Sequence, residues 1–119
     1  MKEIFIYNIL MIASLFIQIE LRAQSKIYGV IKDSLNENIA NANVLLLNAS
    51  DSGLVKGILT DAEGNFLFSD IHEGNYFIRS TYTGYSEHNT KSFIIAATAN
   101  KDAGVISLYQ KDVQLVEVK

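Results

Sequence analysis

The stretch "GILTDAEGNFLF" (57–68) holds the most acidic turn of the chain, with Asp61, Glu63, Gly64 and Asn65 set between two apolar runs. It can be read as a metal loop, a catalytic carboxylate pair or a tight turn. As an EF-hand it fails: such a loop needs Gly at its sixth position and a bidentate Glu at its twelfth. Counted from Asp61, Gly64 comes at the fourth position and His72 at the twelfth. A looser surface calcium site is a weaker form of the same reading. As a catalytic pair, Asp61 and Glu63 lie on an exposed turn with nothing to desolvate them, and general acid–base work depends on such an environment. As a turn the residues fit. An Asp side chain accepts backbone N–H groups two residues on, and Gly and Asn adopt positive φ at least cost. The expectation is a β-hairpin in which Asp61 and Gly64 shape the turn and Phe66 and Phe68 anchor the next strand in the core.

The same pattern recurs on both sides of this turn. Period-2 apolar alternation marks strands at 26–32, 42–48, 54–60, 65–69, 75–83, 92–97 and 104–109, separated by Gly, Asn and Asp turns. The run "ANVLLLN" (42–48) holds a continuous apolar stretch from Val44 to Leu47, as for a strand buried on both faces. Gly74 and Gly84 are expected at turns, each followed closely by an aromatic, Tyr76 and Tyr85. No helical stripe with caps follows residue 25. Seven short strands at even spacing read as a sandwich or barrel.

The N-terminus "MKEIFIYNILMIASLFIQIELRAQS" opens with Lys2 and continues with a mostly apolar stretch from Ile4 to Ile19. Leu21 and Ala23 suit the −3 and −1 positions of a cleavage site before Gln24, so residues 1–23 read as a secretory signal peptide. A transmembrane anchor needs about 20 apolar residues, which is more than this run supplies. Cleavage removes Lys2, Arg22, Glu3 and Glu20 together, so the net charge of −3 is unchanged. No Lys/Arg cluster exists to bind phosphate backbones, so nucleic acid is not an expected partner. The chain has no cysteine and no proline. Disulfides, thiolate metal sites and a cysteine nucleophile are therefore excluded.

Five stretches in order carry a resemblance: "GVIKD" (29–33), "ANANVLLLN" (40–48), "DSGLVKGILTDAEGNFLF" (51–68), "IHEGNYFIRSTYTGY" (71–85) and "DAGVISL" (102–108). The chain resembles the carboxypeptidase regulatory-like domain, above all the copy at the N-terminus of TonB-dependent outer-membrane receptors. The resemblance implies an all-β, seven-stranded antiparallel β-sandwich of transthyretin (prealbumin) type over 24–110, preceded by the signal-peptide helix. Its expected turn and core residues are Gly29, Asp33, Asn43, Thr60, Asp61, Gly64, Phe66, Phe68, Gly74, Tyr76, Gly84 and Tyr85. The tail 111–119 is similar to the lead-in to a receptor plug. The family often carries Pro before its second strand, where this chain has Glu37–Asn41. No set of amphipathic strands of about ten residues is present to close a barrel.

The resemblance implies a non-enzymatic module without cofactor or metal, exported to the periplasm or the periplasmic face of the outer membrane. It implies a protein partner, with outer-membrane association only through that partner or a further C-terminal region. The module is expected either as a receptor extension or as a truncated or stand-alone copy. Two alternatives remain. A carbohydrate or surface-polymer binder would use tyrosines such as Tyr76, Tyr82 and Tyr85. A transthyretin-like hydrolase would need clustered His and Arg, whereas residues 24–119 hold only His72, His88 and Arg79.

Overall fold

The computed structural model describes residues 2–16 and 24–112. Helix α1 (Lys2–Phe16) is apolar, and the side chains of Ile4, Phe5 and Tyr7 are exposed. Its 15 residues span about 22 Å at 1.5 Å per residue, short of the roughly 30 Å hydrocarbon layer. Among the described residues no helix is long and apolar enough to cross a membrane. The expected cleavage site at Leu21–Ala23 lies outside the described residues, and Gln24 is an exposed residue at the domain's start.

Eight strands follow among the described residues: β1 (Ser25–Asp33), β2 (Asn43–Asn48), β3 (Leu54–Leu59), β4 (Asn65–Ile71), β5 (Gly74–Thr81), β6 (His88–Asn89), β7 (Phe93–Ile95) and β8 (Asn100–Leu108). All seven expected strands are present, and the two-residue β6 is an addition too short to show any alternation. The strands form two sheets: β4-β1-β8, and β3-β2-β5-β6 with β7 also on β5. The inward rows of both sheets meet in one core. Ile27, Ile31, Phe66, Phe68, Ile106 and Leu108 face Val44, Leu46, Tyr76, Ile78 and Ile95. Burying each such side chain contributes roughly 1.5–3 kcal/mol, so this layer supplies the main stabilising term.

Two expectations are corrected. The sandwich is not wholly antiparallel, because β1 and β8 pair in parallel, from Lys26↔Asn100 to Asp33↔Leu108. Parallel neighbours need a long crossover, and here β2 to β7 provide it, passing through both sheets. Nor is 57–68 a hairpin. β3 and β4 belong to different sheets, so the acidic turn carries the chain across the sandwich.

Strand β2 reads as expected. Val44 and Leu46 are fully buried in the core, and Leu47 on the opposite face is only 3% exposed. Leu47 is flanked across the sheet by Leu54 and Phe77. It lies outside the main core cluster.

Candidate functional site

The acidic turn is built by backbone contacts. Asp61 Oδ1 accepts the N–H groups of Glu63 at 3.0 Å and Asn65 at 2.8 Å. The Gly64 N–H donates to the Asp61 carbonyl at 3.0 Å. Gly64 takes φ +78°, and a Cβ there would stand 2.6 Å from the Ile31 carbonyl oxygen. Asn65 opens β4 and is not left-handed.

Just before the turn, Thr60 is 3% exposed. Its Oγ1 donates to the Ile39 carbonyl at 2.6 Å and accepts the Ala42 N–H at 2.9 Å. Thr60 thereby clamps the loop that enters β2, while Asp61 shapes the chain that enters β4. The carboxylate serves conformation.

Three further aspartates do the same. Asp33 Oδ1 accepts the N–H groups of Leu35 and Glu37, each at 2.9 Å. Asp51 and Asp102 accept the N–H groups of Gly53 and Gly104, each at 2.8 Å. Asp51 and Asp102 were missed from sequence. The signal was there: an Asp stands two residues before the next turn donor, which is the Asx-turn spacing.

The other expected turn and core residues fall as follows. Phe66 lies across Gly29, where a Cβ would come within 2.6 Å of its ring and 2.8 Å of the Gly104 carbonyl. Phe66 and Phe68 are buried with ring centroids 5.9 Å apart. Gly74 is the first residue of β5 and not part of a turn. A Cβ on it would meet the Tyr76 ring at 3.1 Å. Tyr76 Oη donates to the His72 carbonyl at 2.7 Å, tying β5 to the chain that leaves β4. Gly84 takes φ +86° in the turn closed by the Tyr85 N–H on the Tyr82 carbonyl. Tyr85 is half-buried against the core. Asn43 departs from expectation: it is exposed at the start of β2, level with Leu59 and Thr81.

The hydrolase side chains do not converge. His88 lies opposite Ser80, whose side chain is buried. Directly opposed residues share a face and successive residues alternate, so Arg79 projects from the other face. There it bonds Asn89 at 2.9 Å, lies 3.4 Å from Glu87 and covers the Phe77 ring. His72 lies before β5, seven residues ahead of Arg79 in the chain. Among the described residues no group of three or more His, Asp or Glu is placed to hold a metal ion. The Tyr82 and Tyr85 rings are tilted 53° to each other at 5.5 Å, so the two do not form one flat face.

A shallow groove of about 560 Å³ lies on the outer face of the β4-β1-β8 sheet. Its apolar lining comes from Tyr28, Val30, Leu67 and Val105. Tyr28, Leu67 and Val105 are 42%, 51% and 57% exposed, so the groove is a surface feature and not an enclosed cleft.

The profile of the carboxypeptidase regulatory-like domain matches residues 26–108. This chain belongs to the carboxypeptidase regulatory-like domain family. A comparison of the sequence with curated proteins returned no match. Among solved structures it is similar to BcpA, the major pilin subunit of Bacillus cereus, with TM-score 0.61 and 17% identity, covering 74% of this chain and 29% of the pilin. It is similar to a type II cohesin–X-dockerin complex from Acetivibrio cellulolyticus, with TM-score 0.60 and 18% identity, covering 74% of this chain and 59% of that one. Catechol 1,2-dioxygenase from Pseudomonas arvilla C-1 also matches, with TM-score 0.60 and 13% identity, covering 87% of this chain and 57% of the enzyme. The regulatory-like domain spans less than two-thirds of each of these proteins. At such identities the likeness is one of fold: a β-sandwich that recurs in assembly modules and as part of an enzyme.

Proposed function

We propose that this regulatory-like domain is a non-enzymatic, exported β-sandwich module that works through protein contacts. In this reading it is the N-terminal periplasmic extension of a TonB-dependent outer-membrane receptor, or a truncated or stand-alone copy of one. The observation that carries the reading is the family match over 26–108 directly after a leader-like apolar helix. The internal chemistry agrees with it. The turn aspartates bind backbone N–H groups, and His88 and Arg79 project from opposite faces of their sheet. The cohesin–dockerin and pilin likenesses support protein contact as the use of the fold.

The test is fractionation of cells expressing the tagged full chain, followed by amine crosslinking in the intact envelope. The domain should appear without residues 1–23 in the periplasmic or outer-membrane fraction. It should crosslink to an outer-membrane barrel protein. A folded chain retained in the cytoplasm would overturn the reading, as would ester or amide hydrolysis that is lost on His88→Ala.

A further inference from the structure

The core accounts for one face of each strand. In an antiparallel sheet the other face is ordinarily polar and solvated. The outer face of the β3-β2-β5 sheet departs from this, and its side chains can be placed row by row. Val44 and Leu46 of β2 point into the core, so by alternation Asn43, Leu45 and Leu47 point out. Directly opposed residues share a face. This gives three outer rows: Leu59–Asn43–Thr81, Gly57–Leu45–Arg79 and Leu54–Leu47–Phe77. Beyond Phe77 on β5, Asn75 is opposed by Ile94 of β7.

Two polar residues at one end of this face give way to a continuous apolar surface. Leu54, Leu59 and Ile94 are 64%, 58% and 80% exposed. Leu47 is only 3% exposed although it lies outside the core cluster, because its row neighbours close around it. Leu45 leans over Gly57, where a Cβ would stand 2.9 Å from its Cδ2, so the middle row is low. A contiguous exposed apolar patch of this kind marks an interaction surface.

Charge selects the occupant. Arg79 is the only charged side chain in the three rows. It is already engaged, 3.4 Å from Glu87, bonded to Asn89 at 2.9 Å and lying over the Phe77 ring. An acidic or basic partner therefore finds no free charge to pair with here. A neutral apolar surface fits, and the same face of a second copy is one. The outer face of the other sheet does not fit in this way. Its central strand β1 points Lys26 and Lys32 outward at the two ends of Tyr28 and Val30. A two-fold along or across β1 would set lysine against lysine. We propose that two copies of this chain pack the outer faces of their β3-β2-β5 sheets together about a two-fold axis along β2.

That axis lays β5 of one copy over β3 of the other. Leu45 and Leu47 then meet their own equivalents, and Phe77 meets Leu54 of the second copy. Arg79 comes over Gly57, which presents no side chain, and Thr81 comes over Leu59. No charged side chain of the rows opposes a like charge. The face extends about 20 Å along β5 and about 19 Å across four strands. With side chains standing out of the sheet it offers roughly 600–800 Å² per partner, the lower part of the range for a specific interface. Both copies use the same patch, so the contact closes as a dimer.

The inference rests on reading the chain as a module that works through protein contacts. Its test is sedimentation velocity of the exported chain from micromolar to millimolar concentration, with amide shifts followed over the same range. Leu54→Lys and Leu59→Lys are compared with Leu67→Lys and Val105→Lys on the other sheet, and circular dichroism confirms that each is folded. We expect a monomer–dimer equilibrium with concentration-dependent shifts centred on β2, β3 and β5. Either lysine on β3 should weaken it at least about tenfold, and Leu67→Lys and Val105→Lys should leave it unchanged. An equimolar mixture of Leu59→Lys and Thr81→Glu should recover association, because residue 59 of one copy faces residue 81 of the other. Dimers that survive both β3 lysines, species larger than dimers, or a mixture that stays monomeric would each overturn the inference. So would a monomer in which these rows are shielded until the chain is cut after Asp112, which would give the face to the chain's own residues 113–119. A chain monomeric at every concentration that still crosslinks to a barrel protein would refute this contact and leave the proposed function standing.

Discussion

Gly64 offers a direct test of how the acidic turn is held. Gly64 and Gly84 both sit in the left-handed region, at φ +78° and +86°. They differ in surroundings: a Cβ on Gly84 meets nothing within 4 Å, whereas on Gly64 it stands 2.6 Å from the Ile31 carbonyl oxygen and 3.1 Å from the Ile39 nitrogen. Alanine at either position incurs the left-handed cost, about 1–2 kcal/mol. At Gly64 the Ile31 carbonyl must also move, by roughly 0.8 Å to reach ordinary contact. That carbonyl accepts the Ile39 N–H at 3.0 Å, and the Ile31 N–H donates to the Gly64 carbonyl at 2.8 Å. Weakening both bonds adds about 1 kcal/mol each. Gly64→Ala should therefore destabilise by about 3–4 kcal/mol and Gly84→Ala by about 1–2. The change in unfolded-chain entropy is common to both and cancels. Urea unfolding of residues 24–119, followed by tyrosine fluorescence and circular dichroism, measures the pair. Each kcal/mol should lower Tm by about 4–8 °C in a domain of this size. Equal losses for the two variants, within about 0.5 kcal/mol, would show that the close approach to β1 does not constrain the turn.

Three further outcomes are expected from the same assay. Thr60→Val strands the Ala42 N–H and the Ile39 carbonyl in a buried site and should cost about 2–3 kcal/mol, while Thr60→Ser should keep most of the stability. Ser80→Ala should be neutral or stabilising by up to about 1 kcal/mol, since the buried Ser80 Oγ has no hydrogen-bond partner; a loss above about 1.5 kcal/mol would reveal one. Asp61→Asn keeps an acceptor oxygen and should change stability by less than about 0.5 kcal/mol, whereas Asp61→Ala should lose about 1–2. Addition of millimolar calcium should leave the melting temperature of the wild-type domain unchanged; a rise that disappears in Asp61→Asn would revive the metal reading.

The candidate site was legible in part. Asp61, Gly64, Phe66 and Phe68 could be assigned because an Asx turn and a period-2 run are local patterns, complete within five or six residues. Thr60 could be singled out, but its two bonds to Ile39 and Ala42 could not, because those atoms lie 21 and 18 residues away along the chain. Gly29 shows the same limit. Its lack of a side chain is explained by the Phe66 ring and the Gly104 bulge, which meet it from two other strands. Asn43 was misjudged because it lies between apolar neighbours, yet its own place in the alternation directs it to solvent.

The sequence by itself determined the strands, the leader-like helix, the turn chemistry and the family. Each of these depends on residue type and short spacing. The tertiary structure decided which strands are neighbours. Alternation states which face of a strand is apolar and nothing about the strand beside it, so the parallel β1–β8 pair and the crossing at 60–64 had to come from the fold. It also decided the edges. The sandwich draws the Lys56 ammonium of β3 across to the Ser69 carbonyl on β4, and β3 bulges at Val55 where its register with β2 shifts.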